Sequence, residues 1–356
     1  MNIQYLKKLN LFLVVLPILI FSLGFMILSS TASSLVSNQL LFFALGFVLF
    51  LTVSLIDFEI YRYYWKYLYI AIIVLLLITF VFGERTFGSL SWLRIGAFTI
   101  QPAEFAKIVL ILTIAGAISN SEGAVKKIKE LAKIVVLVAP IILLVLLQPD
   151  LGTTLILLIS FLVILFYAGI NKLFIFIAFC IVGLLSSPVW NSLQPYQQSR
   201  ILVFLNPTLD TLGSGYNVIQ SLIAVGSGGL LGKGFGMGTQ SHLQFLPVYW
   251  TDFIFAAFAE EWGFLGVSIL VCFFLALFGA ILYVGYKSKS AFGSLVVIGV
   301  FAVFFFQFLI NVGMNVGIMP VTGIPLPIIS YGGSSMLTSF ILLGLVHSIW
   351  IYRNNN

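Results

Sequence analysis

Apolar runs of bilayer-crossing length recur from one end of this chain to the other, and they leave it few folds to adopt. Ten can be drawn, at about 11–30, 39–56, 67–83, 102–119, 133–147, 153–169, 172–189, 262–285, 292–316 and 335–352. Most fall within the roughly 17–25 residues that a hydrocarbon core demands of a helix. Charged residues make up 8% of the 356 and hydrophobic ones 61%, whereas a soluble domain carries about 25% charged. No soluble core absorbs so much apolar surface. The expected fold is an all-α polytopic membrane protein of about ten transmembrane helices, forming one membrane domain over 1–356. Lys7-Lys8 ahead of an apolar run mimics a signal peptide, but Leu11–Ser30 is long enough to span and no small-residue cleavage site follows, so it reads as a retained first helix. Cys180 and Cys272 fall inside apolar runs and read as small buried hydrophobes rather than a disulfide.

The basic residues set an orientation. With the N-terminus inside, the inner segments hold Lys7, Lys8, Arg62, Lys66, Lys126, Lys127, Lys129, Lys133, Lys172, Lys287, Lys289 and Arg353, and the outer ones Arg85, Arg94, Arg200 and Lys233. Twelve against four is a positive-inside bias that puts both termini in the cytoplasm. It also accounts for the net charge of +6 without a nucleic-acid partner. The segment from about 190 to 261 then faces outward. At roughly seventy residues it is far longer than an ordinary connection, and such loops are functional or disordered. Its aromatic residues and few charges predict that it folds back on the bundle, partly re-entrant, between helices seven and eight.

That loop ends in the densest group of acids. Asp252, Glu260 and Glu261 lie within ten positions of a chain that has eleven acidic residues in all, and acids near lipid are costly unless paired, solvated or used. Asp252 follows Thr251, a good N-cap, so it is expected in the first turn of a short helix at 252–260, where the dipole favours the ionised form. There it can serve as a general base toward a hydroxyl or simply support the cap. On a continuous helix Glu260 would lie about 12 Å further along, too far for a paired-carboxylate mechanism. Glu260 and Glu261 therefore read as packing or cation-pairing groups.

Other polar residues have two readings each. Glu104 and Lys107, three apart on one helix face, form a neutralised intramembrane pair or line an anion-binding cavity. Asp150, in Gln148-Pro-Asp-Leu-Gly-Thr-Thr154, reads as the cap of a turn between two spans. Arg94, Arg200 and Lys233 suit an anionic headgroup or interfacial anchoring. The run Gly226–Gly238 lacks the glycine and Ser/Thr positions of a phosphate-binding Walker loop and reads as backbone able to approach a ligand closely. The stretch 311–335, with three prolines and several glycines, reads as a broken element lining a cavity, with Ser330 and Ser334 in supporting roles.

Several of these motifs, in this order, resemble the SEDS family of shape, elongation, division and sporulation proteins. They are Gln101-Pro-Ala-Glu-Phe-Ala-Lys107, Gln148–Thr154, Arg200 with Phe204-Leu-Asn-Pro207, Gly215–Ser221, Gly226–Gln240, Thr251-Asp-Phe-Ile-Phe255 with Glu260-Glu261-Trp-Gly263, and Pro320–Ser335. The resemblance covers nearly the whole chain and is nearer the rod-shape branch than the division branch. It implies a GT-C-like membrane fold and a glycosyltransferase that polymerises lipid II into β-1,4 glycan strands outside the bacterial plasma membrane, during elongation and shape maintenance. A flippase for the lipid-linked sugar is the rival reading. The resemblance marks Asp252 as the essential acid; with a pyrophosphate-bearing substrate, the charges read above at Arg200, Lys233, Lys107, Glu104 and Arg94 become the candidate binding groups. It implies a class B penicillin-binding protein and other elongation-complex membrane proteins as partners. A divalent cation such as Mg2+ suits a pyrophosphate substrate, although no metal-ligand cluster stands out. Two departures from the family pattern are Val248 and Trp250, where Glu and His are common; the third is Ser91 before Trp92, where Arg is common.

Overall fold

In the computed structural model, residues 9–86, 89–96, 98–119, 128–171, 173–174, 190–191, 193–210 and 213–353 are described. The helices are α1 (Leu11–Thr31), α2 (Val36–Leu55), α3 (Phe58–Phe82), α4 (Pro102–Ser119), α5 (Ile128–Leu147), α6 (Leu151–Tyr167), α7 (Pro195–Leu205), α8 (Ser214–Ser227), α9 (Ile254–Lys287), α10 (Ala291–Asn315) and α11 (Gly333–Tyr352). Eight of them are long and apolar enough to cross a membrane, and α6 is a shorter apolar helix. These nine match nine of the ten expected spans. The remaining one, 172–189, lies almost wholly outside the described residues.

Local chemistry starts several helices. The side chains of Asn10, Asp57, Asp150 and Ser290 accept the free backbone N–H groups of Phe12, Glu59, Thr153 and Gly293 at the N-termini of α1, α3, α6 and α10. Helices α4 and α11 form the interior of the bundle: 83% of the most apolar stretch of each is buried, against 17% for α2. A helix apolar on every side belongs inside. Helix α11 runs along α2, α3 along α4, α9 between α1 and α10, and α10 also along α4 and α6. Cys272 is exposed on the flank of α9, contrary to the expectation of burial, because the apolar run it belongs to is a bundle-surface helix.

Two features depart from the expected outline. Between α3 and α4 lies a three-stranded antiparallel sheet, β1 (Glu84–Thr86), β2 (Ser89–Ile95) and β3 (Phe98–Ile100), in an otherwise helical chain. Leu93 faces Ile100 and Glu84 faces Trp92 across the strands. The described part of the long segment 190–261 is mostly helical, and α8 packs on α9 and α10.

The expected division between a short helix and the eighth span is real. It falls inside α9 at Gly263, whose φ of 62° and ψ of −166° break the helix. A break frees backbone groups, which must find partners in an apolar setting. The glycine-rich segment supplies them. The Lys233 and Gly234 N–H groups donate to the carbonyls of Glu260 and Glu261, both at 3.0 Å. In return, the N–H groups of Phe264 and Leu265 donate to the carbonyls of Gly229 and Leu230, at 2.9 and 3.0 Å. Side chains at Gly228, Gly232 or Gly263 would collide with this clasp. The run Gly226–Gly238 thus makes a close backbone approach to α9.

Candidate functional site

A cavity of about 340 Å³ opens at the end of the bundle that carries the sheet. Its walls come from the β2–α4 region (Trp92, Gln101), the α5–α6 turn (Asp150), α7 (Tyr196, Arg200), α8 (Asn217), the loop before α9 (Val248 to Phe253) and the loop between α10 and α11 (Val321 to Tyr331). Six segments distant in sequence therefore converge on one space, which is of the size ligand sites usually have.

Asp252 is held from its backbone, leaving its carboxyl for the cavity. The Asp252 carbonyl accepts from the side-chain amides of Asn311 at 3.1 Å and Asn315 at 3.0 Å. On its N-terminal side the Ser330 hydroxyl donates to the Thr251 carbonyl at 2.7 Å, and the Tyr331 N–H donates to the Trp250 carbonyl at 2.9 Å. The carboxyl meets Arg200 across a gap left by Gly323. A Cβ at Gly323 would lie 3.6 Å from Asp252 Oδ2 and 3.7 Å from Arg200 Nη1, and the φ of +75° there also suits glycine. Arg200 lies over the Tyr196 ring at 5.6 Å, and the Tyr196 hydroxyl donates to the Pro149 carbonyl at 2.8 Å.

Burial pushes the Asp252 carboxyl above its ordinary pKa, while the Arg200 charge and a hydrogen bond from the Thr251 side chain pull it down in part. The expectation of a first-turn position is corrected. The helix begins at Ile254, its N-cap is Phe253, and Thr251 does not cap it. Asp252 thus lies just before the helix, and enclosure by protein outweighs the helix dipole. Val248, four residues earlier, has a φ of +51°, a conformation that is strained for a β-branched side chain.

Of the expected site residues, Asp252, Arg200, Asp150 and Ser334 line this cavity together. Asp150 caps α6 through Thr153 N–H at 3.0 Å, as expected, and also accepts from Gln101 Nε2 at 2.8 Å. Ser334 Oγ accepts from the Gln101 N–H at 2.9 Å. Ser330 supports from behind, accepting the Leu326 N–H at 2.8 Å while donating to Thr251.

The four other expected binding groups, and the two acids expected to pack or pair with cations, are elsewhere. Lys107 and Glu104 pair at 2.7 Å, nearly sealed within α4, so neither is available to a substrate. Lys233 pairs with Glu260 at 2.7 Å, and Glu260 also accepts from the Gln240 N–H at 3.1 Å. Glu261 is bound by Ser30 at 2.5 Å and His242 at 3.1 Å. Arg94 is largely exposed on β2, 3.9 Å from Glu84. None of these six lines the Asp252 cavity: five are held in local pairs, and Arg94 is largely exposed on β2. Conversely, Tyr196, Gln101, Asn217 and the Asn311/Asn315 pair escaped notice as site residues. The asparagine pair did leave a signal: two amides four apart lie on one face of an otherwise apolar helix.

The bundle and its cavity define a polytopic membrane protein with a carboxyl-bearing cavity where the helices end. The model of the cell cycle protein family of FtsW, RodA and SpoVE matches residues 4–355. The peptidoglycan glycosyltransferase MrdB of Escherichia coli is 39% identical over 311 residues, covering 87% of this chain and 84% of that protein. The peptidoglycan glycosyltransferase RodA of Treponema pallidum is 35% identical, covering 88% of each. Among solved structures, a chain from a peptidoglycan synthase complex that coordinates polymerization and crosslinking superposes with a TM-score of 0.84 at 32% identity, covering 98% of this chain and 99% of that one. This chain belongs to the FtsW/RodA/SpoVE family, the SEDS proteins.

Proposed function

We propose that this chain is a peptidoglycan glycosyltransferase that polymerises lipid II at the outer face of the bacterial plasma membrane, with both termini in the cytoplasm. The positive-inside bias supports that orientation. The activity is the one carried in the names of its relatives. The observation that carries the mechanism is the enclosed Asp252 carboxyl facing Arg200 across Gly323.

The donor's anomeric carbon bears a lipid-linked pyrophosphate, which is already a good leaving group. The 4-hydroxyl oxygen of an acceptor GlcNAc attacks that carbon and forms the β-1,4 bond. The carbon–oxygen bond to pyrophosphate breaks with inversion, and the pyrophosphate departs with the bonding pair. Asp252 takes the hydroxyl proton. A pKa raised above the usual carboxylate range brings this base closer to the operating pH, where general-base catalysis is most effective. Arg200 stabilises the leaving pyrophosphate with its guanidinium fork. Arg200 also forms the mouth of a small adjoining cleft whose apolar wall includes Val203, Phe204, Val218, Leu222 and Met319. That arrangement offers an apolar path for a prenyl chain beside the phosphate-binding group.

Asp150 and Asp252 line one cavity, and Mg2+ characteristically takes one or two carboxylates plus substrate phosphates. The two carboxylates would hold such a cation, which would supply charge neutralisation for the pyrophosphate. The likeness to a synthase complex that couples polymerization to crosslinking supports a class B penicillin-binding protein as partner during elongation.

The test is lipid II polymerisation by purified protein in detergent, where no leaflet crossing is required. The parental chain should make glycan strands, and Asp252→Asn should be slower by about 10²–10⁴. Strand synthesis by Asp252→Asn at the parental rate would overturn the assignment.

A further inference from the structure

A second space adjoins the Asp252 cavity. It is an open groove of about 360 Å³, bounded by the α1–α2 turn (Thr31 to Leu35) on one side and by Tyr249, Trp250 and Tyr331 on the other. Trp250 and Tyr331 line both spaces, so they form a shared wall. That wall is built firmly. The Tyr331 N–H donates to the Trp250 carbonyl at 2.9 Å. Gln39 at the start of α2 donates to the Ser330 carbonyl at 3.2 Å and accepts from the Gly332 N–H at 3.4 Å. The Tyr249 and Trp250 rings stand edge to face, with centroids 4.8 Å apart.

The lining chemistry is specific. Among the described residues the groove is lined by no charged side chain; it offers aromatic surface on one wall and the hydroxyls of Thr31, Ser33 and Ser34 on the other. Ser33 and Ser34 are exposed. Phosphate or a peptide carboxylate finds no counter-charge in that lining. An acyl or prenyl chain would meet hydroxyls and solvent on one side. A neutral sugar fits both walls, because its apolar ring face packs on aromatics and its hydroxyls pair with serine and threonine.

We infer that this groove is a glycan subsite, holding sugar units of the growing strand beyond the wall formed by Trp250 and Tyr331. The inference rests on the glycosyltransferase reading above. A polymerase adds units at a fixed base while its product lengthens, and a cavity of about 340 Å³ cannot store the strand. The strand must leave along a neighbouring surface. The groove adjoins the cavity, has an uncharged lining and is open.

Position 34 tests this, because Ser34 lines the groove and not the Asp252 cavity. Lipid II is supplied to the purified full chain, and strand lengths are read on a gel. Ser34→Trp should fill the groove and shift product from long strands toward short oligomers. Since the bulk of a tryptophan can disturb folding by itself, Ser34→Cys is purified first and then blocked with a bulky maleimide, with the parental chain treated identically to control for Cys180 and Cys272. The same shortening is expected. An unchanged length distribution in the blocked protein overturns the inference, and so does equal loss of short and long products, which would put position 34 in the bond-forming site. Absence of any product from the untreated parental chain tells instead against the glycosyltransferase reading, and the groove assignment falls with it.

Discussion

Two carboxylates eight positions apart, Asp252 and Glu260, have opposite surroundings. Glu260 is fully buried and saturated: Lys233 at 2.7 Å, Thr239 at 3.1 Å and the Gln240 N–H at 3.1 Å all reach it. Among the described residues, Asp252 has no ion pair within 4.0 Å; it faces Arg200 across a glycine gap and opens into a cavity. Glu104, sealed with Lys107, follows the pattern of Glu260. The lesson is one of electrostatics in a low-dielectric setting. At Glu260 and Glu104 the carboxylate that supports the fold is paired directly with a cation, since an unpaired buried charge is costly. A carboxylate left under-compensated needs another justification, and proton transfer provides one.

The largest expected effect separates the two by removing charge at each. Asp252→Asn should lose about 10²–10⁴ in polymerisation rate while its apparent Tm in detergent holds or rises. The sign follows from the raised pKa. The folded protein holds the Asp252 proton more tightly than the unfolded chain does. Stability therefore falls as pH rises from the ordinary carboxylate range through the raised value, and the ionised form is carried at a cost above it. Asparagine removes that dependence. A fall in Tm as large as the one expected for Glu260→Ala would show that Asp252 is structural after all.

Glu260→Ala should do the reverse. It strands Lys233, Thr239 and the Gln240 N–H, and it loosens the clasp that satisfies the α9 break. The cost should be about 2–3 kcal/mol, below that of breaking a sealed pair because Lys233 is 27% exposed. A Tm series on Glu260→Ala and Glu260→Gln checks this, with the glutamine recovering part of the loss through the Gln240 contact. An unchanged Tm for Glu260→Ala would erase the contrast.

Arg200→Gln sharpens the comparison with a smaller and more specific readout. Arg200 lowers a carboxyl that burial raises, so its removal should move the acidic limb of the rate–pH profile upward while also reducing the rate at every pH. The Glu260→Gln profile should keep its acidic limb in place. A limb that stays fixed in Arg200→Gln would mean that the guanidinium does not act on Asp252.

Much of this contrast was legible in the sequence, and the reasons for the gaps are physical. Span length depends on composition over long windows, so nine of the ten expected spans match helices among the described residues with only their ends displaced. The break near Gly263 was visible because a 36-residue stretch from Asp252 to Lys287 exceeds one perpendicular span, at about 1.5 Å of rise per residue. Asp252 stood out as an acid in an apolar chain. Lys233 reads as a binding group because a sequence shows that a cation exists but not which distant acid neutralises it, whereas the i, i+3 spacing of Glu104 and Lys107 already offers their pairing. The small sheet was hidden among spans, although Gly83 and Gly96 bracket β1 and β2, and Gly96 takes the φ of +64° needed before β3. The cavity itself could not be read, since it is assembled from segments as far apart as Trp92 and Ser335.

The smallest expected effect concerns backbone strain, and here too the two regions differ. In the clasp around Glu260 the left-handed positions Gly232, Gly234 and Gly263 are glycines. In the loop before α9 they are Gln244 and Val248, the latter a β-branched residue whose carbonyl accepts the Thr251 N–H at 3.1 Å. That conformation costs a valine roughly 1–2 kcal/mol, and asparagine tolerates it far better. Val248→Asn should therefore raise the apparent Tm by an amount equivalent to about 1 kcal/mol, with a polymerisation rate no higher than the parental one. Strain kept in a loop that presents a reactive group is a recurrent trade of stability for geometry. If Val248→Asn gains no stability, or gains stability together with activity, Val248 is not strained for the sake of Asp252, and the difference between the two regions reduces to charge compensation alone.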